Sequence, residues 1–182
     1  MLFPTHLVVA AGIGVVSRLR AARVAAATTA VTASKPPLSL GWLVVGAALP
    51  DLIDKPLGMA GVTELYHSVG HSAVLLPVAV AVALAGRRGH VLASGRGLAL
   101  AVGWASHLFL DALHVVINGR PSDALFLGWP VVSPPNPPAI PPGEFFWYYL
   151  GSPSFYLELL LWLAVGALIV WTVRVERSGK NR

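Results

Sequence analysis

Five long apolar stretches with very few charged side chains constrain the fold of this chain more than any other feature. They cover residues 2–17, 38–53, 69–86, 97–117 and 155–173. A helix needs about 20 apolar residues, with about 17 as a lower limit, to cross a bilayer core. The last three stretches meet or approach that length, and the first two need neighbouring residues or a thinner bilayer. The pattern predicts a single all-α domain, residues 1–182, with about five transmembrane helices.

The composition favours lipid as the solvent for much of this surface. Of 182 residues, 55% are hydrophobic and only 12% are charged, whereas soluble domains carry roughly 25% charged residues. A core of this size cannot hide so much apolar surface from water. The absence of cysteine excludes disulfides, thiolate metal ligands and cysteine nucleophiles.

The basic residues predict an orientation, because they fall in alternate connections. Eleven of the thirteen share one side, and only Lys55 and Arg120 fall on the other. The positive-inside rule then places the N-terminus outside and the C-terminus in the cytoplasm of a multi-pass protein of the inner or plasma membrane. The net charge of +5 is explained by these juxtamembrane residues, so no nucleic-acid partner is expected. A signal peptide would need basic residues before its apolar run, and here they follow it.

Two segments outside the apolar stretches have distinctive compositions. The Ala-rich residues 21–34 have high helix propensity and form either an extension of the first helix or a short interfacial helix. The outer connection 119–154 holds seven prolines between Pro130 and Pro142, which predicts an extended path without regular structure for that stretch. The aromatic run at 145–149 is typical of a belt at headgroup level, and a lid over an interfacial site is the functional alternative.

Histidine and aspartate concentrate near the predicted outer face. Five of the six histidines and three of the four aspartates lie there, on four predicted helices: His6; Asp51 and Asp54; His67 and His71; His107, Asp111 and His114. The His67–His71 and His107–Asp111 spacings of four place each pair on one helical face. Ionisable groups within a membrane are unfavourable, by at least about 2.5 kcal/mol at its centre, and normally mark function. The cluster therefore predicts a metal site, with a structural hydrogen-bond network or a proton pathway as alternatives.

The same residues carry a resemblance to a known family. The motifs are Leu-Pro-Asp-Leu-Ile-Asp at 49–54, Gly-His-Ser at 70–72, His-x-x-x-Asp at 107–111 and Gly-Trp-Pro at 128–130. In this order, over roughly residues 1–131, they resemble those of the YdjM-like membrane-bound metal-dependent hydrolases. The chain departs from that pattern in the spacings of Asp51 to Asp54 and of His67 to His71, and in having His114 where relatives often have threonine.

The resemblance and the donor chemistry together predict a ligand set. His71, His107, Asp111 and Asp51 are the expected ligands, and His6 or Asp54 complete one or two metal positions. Imidazole and carboxylate suit Zn best, with Mn or Fe(II) as alternatives. His67 and His114 remain as the expected catalytic base or acid.

A metal-dependent hydrolase at the outer membrane face is the leading functional hypothesis. A site at that depth suits a lipid or lipid-linked substrate with its phosphoester at the interface. A non-catalytic scaffold or regulatory protein with a structural metal or a polar network is the first alternative. A proton-coupled transporter is the second, and it predicts polar residues in the inner halves of the helices, where stretches one, three and five have almost none.

Overall fold

Helices make up all the regular structure in the residues that the computed structural model describes, 1–27, 38–77, 96–135 and 140–180. The α-helices are α1 (Phe3–Ala27), α2 (Leu40–Met59), α3 (Arg96–Ile117), α4 (Pro142–Tyr149) and α5 (Pro153–Lys180), and a 3-10 helix covers Pro121–Gly128. No strand occurs in these ranges. The prediction of an all-α fold is confirmed.

Two of the helices are long and apolar enough to cross a membrane. They are α3 and the Pro153–Val175 part of α5, which correspond to the fourth and fifth apolar stretches. Only 11% of the apolar window of α5 is buried within the protein, and Leu160 and Leu163 are 64% and 70% exposed. A contiguous exposed apolar surface of this kind marks an interaction site, for which lipid is one partner.

The first two apolar stretches form longer helices than predicted. α1 continues past residue 17 to Ala27, so the Ala-rich segment extends the first helix at least that far. Residues 28–37, which include its remainder, lie outside the described part of the chain. α2 runs to Met59, beyond the predicted end at residue 53, and contains Pro50 and Pro56.

The predicted start of the third helix, at residue 69, is wrong. Residues 60–74 form turns and bends, helix is described only at 75–77, and residues 78–95 lie outside the described ranges. His67 and His71 therefore do not share a helical face. The physical reason is the carboxylate of Asp54, which accepts hydrogen bonds from the backbone N–H groups of Ser68, Gly70 and His71 and so holds this segment, here called the 60–74 loop, against α2.

The proline-rich part of the outer connection has no helix or strand in its described residues, 130–135, 140 and 141, which agrees with the prediction for that stretch. The 3-10 helix and α4 lie on either side of it, each with proline in its first turn, where the N–H that proline lacks would have no partner within the helix. α4 carries the aromatic run. Its Trp147 is 74% exposed and its Tyr149 is 1% exposed, so one face of the run is available to a headgroup layer while the other packs on the protein.

α2 and α3 pack more extensively on each other than any other pair of described elements. Their axes approach closely because two glycines face backbone. A methyl group on Gly46 would overlap the carbonyl oxygen of Leu100, and one on Gly103 would overlap that of Leu43. Small residues at such crossings are typical of helix pairs in membranes, where close packing is a principal attraction.

Candidate metal centre

The predicted site residues come together where α1, α2, α3 and the 60–74 loop meet. α1 supplies His6, α2 supplies Asp51, the loop supplies His71, and α3 supplies Asp111 together with His107. All five are buried, with relative exposures of 9% or less. A group of ionisable side chains this well shielded from water requires partners of opposite charge or a bound cation.

Two imidazole nitrogens and one carboxylate oxygen converge at the centre. The Nε2 atoms of His71 and His107 are 3.0 Å apart. The Oδ2 atom of Asp111 lies 3.3 Å from the first and 3.1 Å from the second. Bonds of about 2.0–2.1 Å from a tetrahedral Zn²⁺ would hold such atoms roughly 3.3 Å apart. The spacing therefore fits a shared metal ion.

Hydrogen bonds on the far side of each ring orient these donors. The Nδ1 atom of His107 lies 2.7 Å from the carbonyl oxygen of Ala47, and the Nδ1 atom of His71 lies 2.7 Å from Oδ2 of Asp54. A carbonyl only accepts, so Nδ1 of His107 donates its proton there, and the carboxylate favours the same arrangement at His71. Each Nε2 then presents a lone pair to the centre, as in histidine ligands of metal proteins. Two lone pairs facing each other beside a carboxylate need either a proton or a metal ion between them.

Three overlapping sets of donors among the described residues can each hold a metal ion. The sets are His6, His107 and Asp111; Asp51, His71 and His107; and His67, His71 and Asp111, and within each set the donor atoms lie within 4.8 Å of one another. The two oxygens of Asp111 face different neighbours, since Oδ1 lies 3.3 Å from Nε2 of His6. Neither ring nitrogen of the buried His6 has a hydrogen-bond partner in the described part of the chain. This orphaned imidazole is a further sign that a ligand belongs here.

Asp54 does not belong to this donor group, contrary to the prediction that it completes a metal position. It is fully buried, and its oxygens accept hydrogen bonds from Ser68, Gly70 and His71 at 2.6–3.1 Å. Its carboxylate is used in holding the 60–74 loop and in orienting the His71 ring. The structure thus places Asp54 behind the ring of His71 and outside the three sets of donors that could hold a metal ion.

His67 lies at the edge of the cluster. Its Nε2 is 3.9 Å from Oδ2 of Asp111, and its side chain is 39% exposed. Desolvation lowers the pKa of His67 well below its usual value, and the positive charge of Lys55 lowers it further. The ring is therefore neutral at neutral pH, the state in which imidazole accepts a proton.

His114 lies outside the three donor sets and takes part in a separate buried network. Its Nδ1 is 2.8 Å from Oγ of Ser154 and 3.1 Å from Nδ2 of Asn118. The hydroxyl of Tyr149 donates to the Ser154 carbonyl and to the Glu158 carboxylate. Burial, followed by this hydrogen bond, raises the pKa of Tyr149, which keeps its hydroxyl a donor. The network ties α3 to α4 and α5.

A cavity of about 280 Å³ opens onto the cluster. Asp51, Asp111, His67 and His114 line it, so the donors, the candidate base and the second histidine share one space. The amino group of Met1 also reaches this wall and donates to Oδ1 of Asp111 at 2.8 Å. A metal bound at the cluster would thus be accessible to a ligand from outside the protein.

Several residues of the cavity wall and of the His114 network were not predicted from the sequence. Lys55 and Arg120 line the cavity, although the sequence marked them only as exceptions to the charge asymmetry. Asn118 follows His114 by four residues, directly after the end of α3, a spacing that indicates contact, whereas Ser154 belongs to α5, far away in the sequence, and no local pattern indicates its contact with His114.

Comparison with protein-family models, with curated proteins and with solved structures finds no match for this chain. The resemblance to the YdjM-like hydrolases therefore stays a prediction based on the motifs. What the described residues establish is a set of buried His and Asp groups that can hold a metal ion.

Proposed function

We propose that this protein is an integral-membrane, metal-dependent hydrolase of a phosphoester in a lipid or lipid-linked substrate. The observation that supports this most directly is the meeting of His71 Nε2, His107 Nε2 and Asp111 Oδ2 within 3.0–3.3 Å, together with the position of Asp111 at the wall of an open cavity. A structural metal site is normally closed by four protein ligands. An open cavity beside the donors favours turnover over a purely structural role.

The proposed resident metal is Zn, with Mn or Fe(II) as alternatives, and one or two ions. His71, His107 and Asp111 would hold it, with Asp51 and His6 as the remaining donors. When bound, such an ion acidifies water and polarises a phosphoryl oxygen. Asp54 and the Ala47 carbonyl keep the two central rings oriented throughout.

His67 is the first candidate for the proton transfer. Water forms the new bond to phosphorus, its proton passes to Nε2 of His67, and the bond from phosphorus to the leaving oxygen breaks. The proton then passes from His67 to that oxygen, so the reaction is balanced without a further reactant. His114 lines the same cavity and is the second candidate.

The function is tested by hydrolysis of lipid phosphoesters by purified protein reconstituted with Zn or Mn. We expect turnover by the metal-loaded protein, and loss of most of it on chelation or in His107→Ala. Absence of hydrolysis from every phosphoester offered to metal-loaded wild type would contradict the proposal and favour the non-catalytic scaffold.

The role of His67 is tested with His67→Ala and His114→Ala, beside His71→Ala. A base outside the ligand set should lose activity by about 10²–10⁴-fold while metal content and melting temperature stay near those of wild type. His71→Ala should lose metal, stability and activity together. Full activity in both His67→Ala and His114→Ala would exclude either residue as the base, and loss of metal in His67→Ala would make it a ligand instead.

A further inference from the structure

We propose that Lys55 and Arg120 bind the anionic group of an amphiphilic substrate beside the metal centre, and that the apolar cavity wall receives its chain. This deepens the proposed function, on which it rests for the identity of the site. The shared chemistry of the ligand is a phosphate or phosphoester group attached to an alkyl chain.

Lys55 lies at the border of the donor cluster. It follows Asp51 by one turn of α2, and its Nζ is 3.3 Å from Oδ1 of that residue. The same oxygen is 3.6 Å from Nε2 of His71. A single carboxylate oxygen thus separates the ammonium group from the central histidines, so an anion beside the metal would be within reach of Lys55.

Arg120 is held over the cavity by a tight end to α3. Gly119 has φ +74°, and the N–H groups of Gly119 and Arg120 donate back to the carbonyls of Val116 and Val115. The helix therefore ends in a turn with glycine in the left-handed conformation. Arg120 follows this turn and lines the same cavity as Asp111 and His114 of α3.

The guanidinium group of Arg120 is fixed but retains a free donor. Its Nη1 is 3.1 Å from Oδ2 of Asp123, and its Cζ lies 5.6 Å from the ring centroid of Tyr148. Its buried Nε has no hydrogen-bond partner among residues 1–27, 38–77, 96–135 and 140–180. Arginine donors in fixed positions are well suited to phosphate groups.

The charge of the cavity wall predicts that anion binding depends on the metal. Its charged side chains are Lys55 and Arg120 against three carboxylates, Asp51, Asp111 and Asp123. The amino group of Met1 also reaches this wall, so three positive groups balance the three carboxylates; the lining is neutral by itself and becomes net positive when a divalent ion is bound. An anion should therefore bind the metal-loaded protein more tightly than the metal-free protein.

The rest of the wall is apolar and suits an alkyl chain. It includes Leu2, Phe3, Leu65, Phe126, Ile140 and Phe145. Burial of each methylene of a chain against such a surface contributes about 0.8 kcal/mol. Head and chain of one amphiphile would thus both find matching side chains in the same cavity.

Calorimetric titration of Mn-loaded protein with hexyl phosphate, inorganic phosphate and hexyl glucoside tests the proposal without requiring catalysis. We expect hexyl phosphate to bind most tightly, inorganic phosphate more weakly, and hexyl glucoside more weakly than hexyl phosphate. Lys55→Gln and Arg120→Gln should each raise the Kd for hexyl phosphate by about tenfold or more, since each removes a charge-assisted hydrogen bond. Chelation of the metal should weaken phosphate binding in wild type.

Arg18→Gln is the matched control, because it removes an equal charge from an exposed part of α1 and should leave the Kd unchanged. Lys55→Arg and Arg120→Lys keep the charge and should recover part of the affinity, which separates charge from any loss of folding. Equal Kd values in wild type and both Gln variants would overturn the proposal. Equal affinity for inorganic and hexyl phosphate would overturn its amphiphile part.

The two proposals fail differently. If metal-loaded wild type binds hexyl phosphate through Lys55 and Arg120 but hydrolyses no ester, the anion site stands and the hydrolase does not. If wild type hydrolyses lipid phosphoesters and both Gln variants keep its KM, the hydrolase stands and the anion site does not.

Discussion

At the scale of single residues, the side chains of the cluster differ in the groups that they contact on the side facing away from the centre. The rings of His71 and His107 each have an outer hydrogen-bond acceptor, Asp54 and the Ala47 carbonyl, at 2.7 Å. Asp111 accepts a hydrogen bond from the Met1 amino group at Oδ1, and its Oδ2 lies 3.1 Å from Nε2 of His107. Such outer contacts fix ring orientation, and their loss in metal proteins typically lowers metal affinity by 10–100-fold. The groups that orient the two rings, such as the carboxylate of Asp54, therefore have roles that can be tested separately from those of the rings.

The metal content should depend on the central donors and not on carboxylates in general. We expect purified wild type to retain about one or two equivalents of a transition metal, and His107→Ala or Asp111→Ala to lose most of it, because each removes a bond to the ion. Asp123→Ala is the control, since this carboxylate lines the same cavity but belongs to none of the three donor sets. Elemental analysis measures the metal content of each variant. An unchanged metal content in His107→Ala and Asp111→Ala would exclude the site.

Asp54→Asn should separate loop anchoring from ligation. The amide replaces an acceptor oxygen with a donor facing backbone N–H groups, so we expect a loss of about 1–3 kcal/mol in the free energy of unfolding. That loss should persist after chelation, and metal affinity should fall about 10–100-fold. Melting temperatures with and without chelator measure both effects. A variant that loses metal completely but is as stable as wild type without metal would make Asp54 a direct ligand.

At the scale of elements, the site depends on how closely α2 approaches α3. The helices contribute Asp51 and His107 from facing sides, and the hydrogen bond from His107 to the Ala47 carbonyl crosses their interface. Gly46 and Gly103 leave no room there for a methyl group. The glycines that allow the packing therefore also set the distance between donors.

Gly46→Ala and Gly103→Ala should push the two helices apart. We expect each to lower the free energy of unfolding by about 1–3 kcal/mol or more through overpacking, and to weaken metal binding as well. Gly41→Ala is the matched control, because a methyl group at this position of α2 meets nothing within 4 Å. Thermal unfolding and metal titration of the three variants measure the effects, and wild-type values for Gly46→Ala and Gly103→Ala would contradict the close packing.

At the scale of the whole molecule, the predicted membrane orientation places the site outside. Two described helices are long and apolar enough to span a bilayer, while the orientation rests on the distribution of eleven basic residues against two. Labelling of single cysteines is direct, because the chain has none of its own.

Ser133→Cys and Ser178→Cys form a matched pair for that experiment, since both side chains are exposed and lie far apart in the chain. A membrane-impermeant maleimide should label Ser133→Cys on intact cells and should label Ser178→Cys only after the cells are permeabilised. The reverse pattern would invert the topology, and labelling of both on intact cells would change the number of spans.

The sequence by itself determined the helical class, the extent of α3, the position of α5, though not its end at Lys180, and most of the residues that make up the cluster. Apolar length and helical spacing are local properties, so they fix a helix and the relation between His107 and Asp111 without reference to the rest of the chain. The prediction that the donors lie close together followed from the common depth in the membrane that was predicted for them. None of these conclusions required knowledge of how the helices pack.

Only the tertiary structure decided the conformation of the 60–74 loop and the roles of single donors. The segment containing His67 and His71 was predicted as helix from its sequence, but hydrogen bonds to Asp54, more than a dozen residues away, hold it as turns. The same contacts engage Asp54 behind the His71 ring, outside the three donor sets. Folding also brings Lys55 and Arg120 into the wall of one cavity. Local periodicity carries no information about such contacts, because they depend on which distant groups a buried carboxylate or cation meets.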